Sequence, residues 1–349
     1  MRALDAAACA AVDSTGQFAD ALDLGVHLQD ALWRVDSAGI APVDAHGGLI
    51  VAGMGGSAVG GRLAAGALGP RLRRPLALAM GYDIPSWIGD ETLVLCSSYS
   101  GATEETLATY DAARAAGAPR LVATTGGPLA ERARADDVPV IPLPGGFQPR
   151  AAVGYSLVTA LEAAALCGAA PSLRDEIDGA AALALELARE WGPSGEEDGD
   201  AKRIARALDG SIPVITGAGL TASVAYRWKC QINENAELPA FASKLPEHDH
   251  NEIVGWAGAE QRLSAVFLDD PEGDQRAARR IEVTAELAAE GAVAVERVAA
   301  RGETRLERLV SLVLLGDLVS LYLAVLRGVD PVHVRAIDVL KERLAAARA

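Results

Sequence analysis

The sequence predicts an α/β protein built from two doubly wound parallel sheets. Short apolar runs of strand length alternate with alanine-rich stretches of helix length, the rhythm of β-α-β units. Half of the 349 residues are hydrophobic but only 4% are aromatic. Such a chain, rich in Ala, Leu, Val and Gly, suits packed α/β layers rather than a β-sandwich. The rhythm of apolar strand, glycine turn and helix also starts twice, at residue 49 and again at residue 211. The length allows two cores of ordinary size, and the expected domains are 1–170 and 171–349.

In the first half, strands are expected at 49–53, 75–80, 92–97, 120–124 and 138–143, with helices at 60–68 and 104–116 between them. Continuously apolar runs fit strands covered on both faces. Helices at 156–167 and 173–191 follow. The Gly/Pro/acidic stretch 192–200 reads as a mobile loop, and 195–200 within it as an insertion. The second round has strands at 211–216, 263–268 and 292–298 and helices at 221–233, 303–326 and 333–347. The segment 309–326 is the most hydrophobic of all. Asp317 at its centre, with Ser311 and Ser320, fits a buried core helix rather than a membrane span, where a mid-bilayer carboxylate is costly. Near the start, Asp5 and Asp13 interrupt the small apolar run, which is not the pattern of a signal peptide.

The formal net charge is −15. A nucleic-acid partner needs a basic face to displace counterions, so this balance argues against one. It leaves room for a small anion held by backbone N–H groups and a few local cations. Cys9, Cys96, Cys167 and Cys230 form no C-x-x-C pair, which suggests free thiols in a reducing cytoplasm.

Two turns carry the chemistry. Gly53-Met54-Gly55-Gly56-Ser57-Ala58 follows a strand and opens a helix. Its glycines allow close backbone approach, and the helix N-terminus favours an anion. Alone it also fits a dinucleotide fingerprint or a structural turn. Ser97-Ser98-Tyr99-Ser100-Gly101-Ala102-Thr103-Glu104-Glu105-Thr106 again joins strand to helix. Thr103 reads as the N-cap. Capping needs only Thr103, which leaves the hydroxyls of Ser98 and Ser100 for a neutral phosphate cradle.

These two turns resemble the sugar-isomerase (SIS) domain, which implies flavodoxin-like sheets. In that domain the serines and threonine hold a sugar phosphate, which assigns Gly56, Ser57, Ser98, Ser100 and Thr103 to phosphate binding. Pro149-Arg150-Ala151-Ala152-Val153-Gly154-Tyr155-Ser156, Asn233-Glu234-Asn235-Ala236 and 245–256, with 326–331 and 337–341, narrow the likeness. Together they resemble the bifunctional phosphoglucose/phosphomannose isomerases over nearly the whole chain.

Aldose–ketose isomerisation needs a carboxylate beside the carbon that loses a proton. It also needs a cation beside the developing enediolate and acid/base groups for ring opening. Glu234 is the candidate base and Arg150 the candidate cation, since an Arg keeps its proton. The resemblance assigns ring opening to His250 and Lys341. It also implies a homodimer in which His250 comes from the partner subunit, a phosphorylated hexose as substrate, and no metal or other cofactor.

Each residue has a plainer reading: Glu234 as a solvated helix end, Arg150 as an ion-pair partner, Lys341 on a solvated face. His248-x-His250 also invites a metal reading, because alternate residues of a strand face one way. A non-catalytic phosphosugar-binding SIS protein would keep the two turns but need none of the four catalytic candidates. An NAD(P)-dependent oxidoreductase would want an acidic ribose ligand after the second strand, where Asp83 is roughly placed. The chain departs from the family pattern at Ala102, at His248, and at Val332-His333, the last bearing on tolerance of both hexose epimers.

Overall fold

The computed structural model describes residues 2–260, 262–332 and 334–346. Three helices come first: α1 (Ala6–Val12), α2 (Gln17–Leu22) and α3 (Leu24–Ser37). The sequence reading assigned no element there, although the signals exist. Asp5 caps α1 by accepting from the Ala8 N–H at 2.8 Å. On α3, Leu24, His27, Leu28, Ala31 and Val35 are buried, the three- and four-residue spacing of one helix face.

The first sheet holds β1 (Gly48–Ala52), β2 (Leu76–Ala79), β3 (Thr92–Ser97), β4 (Arg120–Thr124) and β5 (Val140–Pro142). Its order is β2-β1-β3-β4-β5, with every pair parallel. That is the flavodoxin-like order, and its topological switch point lies between β1 and β3. The helices α4 (Gly55–Leu68), α5 (Glu104–Ala115) and α6 (Gly127–Ala135) run between strands. The α4 helix starts five residues before its expected boundary, because the glycine turn is itself the first helical turn. The α6 helix was not expected, although its Pro128 stands where helices accept proline.

Next come α7 (Val153–Leu166), α8 (Arg174–Trp191) and α9 (Asp200–Leu208). The acidic stretch between α8 and α9 is tied down rather than loose, which corrects its reading as mobile. The buried Lys202 ammonium donates to Pro193 O at 3.2 Å and to Gly195 O at 2.9 Å. It also lies 3.8 Å from the Glu197 carboxylate.

The second sheet holds β6 (Ile212–Ala218), β7 (Phe241–Leu245), β8 (Leu263–Asp269) and β9 (Val295–Ala299), in the parallel order β7-β6-β8-β9. This repeats the plan of the first sheet with one strand fewer, as the repeated rhythm suggested. The helices are α10 (Leu220–Asn235), α11 (Gln275–Ala288), α12 (Arg305–Arg327) and α13 (Arg335–Ala346). His333 and Ala347, the expected ends of the last helix, lie outside the described residues.

The β7 strand was missed because three of its five residues are exposed and it lacks an apolar run. The stretch after it forms 3₁₀ turns at Glu247–His250 and Glu252–Gly258. The strand alternation expected of His248 and His250 is therefore absent.

The largest core cluster joins β1, β3 and β4 with α3, α4, α7, α8, α10 and α12. The α12 helix runs through it, held at its start by the Thr304–Glu307 capping box, a device that contributes about 1 kcal/mol. It is long and apolar enough to cross a membrane, yet 94% of its most apolar 18 residues are buried within the protein. Asp317 in its middle meets the buried Arg227 of α10 through two hydrogen bonds, 2.9 and 2.5 Å. The expected core helix is thus observed, and the carboxylate in its middle is paired as burial demands.

Candidate functional site

The two predicted turns leave the carboxyl ends of β1 and β3, which are neighbours at the switch point. Their last registered pair is Ala52 with Cys96, so the turns start side by side. They also abut. A Cβ on Gly53 would lie 2.8 Å from Ser97 O and 3.2 Å from Ser57 Cβ, so only glycine lets the turns meet this closely. Ser57 sits in the first turn of α4 and is nearly buried. Neither N-cap residue, Met54 of α4 or Thr103 of α5, bonds the first turn of its helix through its side chain, and a helix N-terminus is a place that favours an anion.

Thr103 is the N-cap residue of α5, as expected, but its hydroxyl does another job. It lies 2.9 Å from Ser98 Oγ and does not bond the helix N–H groups. Ser98 is buried, whereas Ser100 is exposed and its Oγ accepts from Ala102 N at 3.3 Å. Tyr99, to which sequence reasoning gave no part, braces the turn. Its hydroxyl donates to Pro144 O and accepts from Phe147 N, both at 2.9 Å. The turn after β3 is thereby bonded to the segment that leads into Arg150.

That segment packs on the glycine turn. A Cβ on Gly56 would lie 2.6 Å from Pro149 O and 3.1 Å from Arg150 Cα, which explains the glycine. Arg150 is 4% exposed. Its Nε donates to Asn235 Oδ1 at 2.6 Å, its Nη2 donates to Pro331 O, and its Nη1 stands 3.6 Å from Glu234 Oε2. Burial lowers its pKa from the ordinary value, while Glu234 opposes the fall. A guanidinium so placed stays charged. Arg227 adds a hydrogen bond from Nη2 to Arg150 O at 3.1 Å, so the Asp317–Arg227 pair also fixes the backbone of Arg150.

Gly55, Gly56, Arg150 and Glu234 line one cavity of about 210 Å³. Cys230 lines it too, with burial pushing its thiol above the usual range, so it is no ready nucleophile. The structure therefore brings the glycine turn, Arg150 and Glu234 to one space, and it braces the hydroxyl turn beside them.

His250 and Lys341 are not brought there by the same chain. His250 is exposed at the end of its 3₁₀ turn and Lys341 is exposed on α13. A second groove of about 850 Å³ lies between the end of α10 and α13, with Glu234 and Ile337 on its walls. Glu234 thus borders both spaces. His248 faces inward: the Trp256 Nε1–H donates to His248 Nε2 at 3.2 Å, and His248 Nδ1 lies 3.4 Å from Asp249. Asp249 is in turn bonded to Arg280 and Thr284 at 2.8 and 2.9 Å. This packing gives His248 a structural part and separates it from His250.

Residues 197–344 match the family model of the bacterial phospho-glucose isomerase C-terminal SIS domain. The chain is 39% identical over 302 residues to a bifunctional phosphoglucose/phosphomannose isomerase of Caldicellulosiruptor bescii, covering 85% of this chain and 89% of that one. A relative with the same name from Aquifex aeolicus is 36% identical over 300 residues, covering 85% and 90%. The fold is similar to that of a glucose-6-phosphate isomerase like protein from Thermus thermophilus, with a TM-score of 0.60 at 20% identity over 95% of each chain. At these identities and coverages, the chain belongs to the family of bifunctional phosphoglucose/phosphomannose isomerases.

Proposed function

We propose that this enzyme interconverts glucose 6-phosphate and mannose 6-phosphate with fructose 6-phosphate through a cis-enediolate. One observation carries the reading: a carboxylate and a buried guanidinium 3.6 Å apart share a cavity with a helix N-terminus. Isomerisation needs those three parts: a base, a cation for the developing oxyanion, and an anion anchor.

In this mechanism the phosphate is held by the N–H groups of the glycine turn at Gly56 and by the hydroxyls of Ser57, Ser98, Ser100 and Thr103. His250 and Lys341 move protons between the ring oxygen and the anomeric hydroxyl, opening the ring. The Glu234 carboxylate removes the proton from C2 of the aldose. The C2–H electron pair becomes the C1–C2 double bond, and the carbonyl oxygen takes the negative charge beside Arg150. Glu234 then returns the proton to C1 while the C2 hydroxyl proton passes to the C1 oxygen, so that the C1–C2 double bond gives way to the C2 carbonyl of the ketose. Return of a proton to the other face of C2 gives the second epimer. No metal or other cofactor enters these steps.

The working unit in this reading is a homodimer, with His250 reaching the partner's cavity. Support comes from the exposure of His250 and Lys341, and from α13, where Leu340 and Leu344 are 56% and 51% exposed. The two lobes are taken to meet at 170/171, between α7 and α8. The four free thiols support a cytoplasmic site of action in hexose phosphate metabolism, glycolytic or gluconeogenic. The test is turnover of purified protein on glucose 6-phosphate and mannose 6-phosphate, with and without a chelator. Fructose 6-phosphate forms from both, and the chelator changes nothing. Phosphosugar binding without turnover would leave a sensor, and loss of activity to the chelator would revive a metal at His250.

A further inference from the structure

The Arg150 guanidinium has three nitrogens, and the protein ties down two of them. Nη2 meets the Pro331 carbonyl and Nε meets Asn235 Oδ1, leaving Nη1 toward Glu234. The Asn235 contact is unlike the others available to a buried arginine. Asn235 and Ser320 are 2% and 0% exposed, so neither is satisfied by solvent.

The orientation of the amide follows from donors and acceptors. A guanidinium only donates, so it requires the amide oxygen. The amide NH₂ then falls on Ser320 Oγ at 2.8 Å. The Ser320 hydroxyl gives its own hydrogen to Asp317 O at 2.6 Å, so its oxygen is left to accept. Each member of the chain Asp317–Ser320–Asn235–Arg150 has one allowed role, and the amide cannot flip without breaking two buried hydrogen bonds.

A carboxylate in place of Asn235 would hold the guanidinium at least as tightly. It would also offset the positive charge next to Glu234. An amide anchors the group and leaves its charge intact. We propose that Asn235, oriented by Ser320, is a positioning residue for the isomerisation: it fixes the Arg150 guanidinium while keeping its full charge directed at Glu234 and the sugar. This rests on the roles given above to Arg150 and Glu234.

The test compares Asn235→Asp, Ser320→Ala and Glu234→Gln in the full-length protein, with melting temperatures measured for each. Asn235→Asp lowers kcat by about 10–100-fold with KM little changed, since the lost electrostatic help belongs to the transition state. The acid limb of its kcat/KM profile moves to higher pH, because an added anion holds protons more firmly on neighbouring carboxylates. A purely structural role would not move that limb. Ser320→Ala removes one hydroxyl and frees the amide, so kcat falls by about 3–10-fold even if Asn235→Asp fails to fold. Native kcat in Ser320→Ala, or a folded Asn235→Asp with native kcat and an unmoved acid limb, overturns the proposal. If Glu234→Gln also keeps native turnover, the roles of Arg150 and Glu234 fail with it. If Glu234→Gln is inactive, only the part of Asn235 fails.

Discussion

The four catalytic candidates divide into two pairs that the fold treats differently. Arg150 and Glu234 stand 3.6 Å apart on the wall of a cavity, with Arg150 bonded to Asn235 and Pro331 and its backbone bonded to Arg227. His250 and Lys341 are exposed, on a 3₁₀ turn and on the last helix. The contrast matches the chemistry proposed for each pair. Stabilising an enediolate requires a charge that does not reorganise, so the cation is buried and tethered. Ring opening needs groups that reach the sugar from outside, and these can be supplied when a second copy closes over the cavity.

Removing the tether has the largest expected effect on stability. Arg227→Met strands the buried Asp317 and costs about 3–5 kcal/mol, read as a fall of several degrees in Tm. His250→Ala in the exposed pair leaves Tm nearly unchanged but lowers turnover of the cyclic sugar by about 10²-fold. Mixing the two defective chains sharpens the comparison. Dimers formed from Glu234→Gln and His250→Ala chains regain about a quarter of native activity if His250 serves the partner's cavity, since half the dimers then hold one intact site. No recovery would place both residues in one subunit's site. Ser57→Ala weakens the phosphate grip and raises KM about 10-fold, the worth of one hydrogen bond to a charged group, while kcat changes less.

The smallest effect concerns Asp20, which lines a small cavity behind Arg150. Burial, with Asp13 and Asp23 nearby, raises its carboxyl from 3.8 to about 6. Between roughly pH 4 and 6 the folded protein keeps a proton there that the unfolded chain has lost, so stability falls as pH rises through this window. In Asp20→Asn that fall is shallower, as measured by Tm against pH.

Much of this fold is legible because its strands are buried on both faces and its helices start at glycine turns. The runs 49–53, 92–97 and 120–124 sit within one residue of β1, β3 and β4. The β7 strand escaped because three of its five residues are exposed and it carries no apolar run. The site was legible where chemistry is local, in the glycine turn and in the serine and threonine turn. It was illegible where it depends on tertiary partners. Asp317 in an apolar helix announces a buried partner, but nothing in the sequence selects Arg227, 90 residues away. Nor does Thr103 reveal that its hydroxyl turns to Ser98 rather than to the helix it begins.

The most direct measurement is turnover and phosphosugar binding in Glu234→Gln, a change that keeps the shape of the side chain and removes its basicity. Isomerisation falls by about 10²–10⁴-fold while fructose 6-phosphate still binds with near-native affinity, because the residues proposed to hold its phosphate are unchanged. A variant that isomerises at the native rate would show that the carboxylate beside Arg150 is not the group that moves the proton.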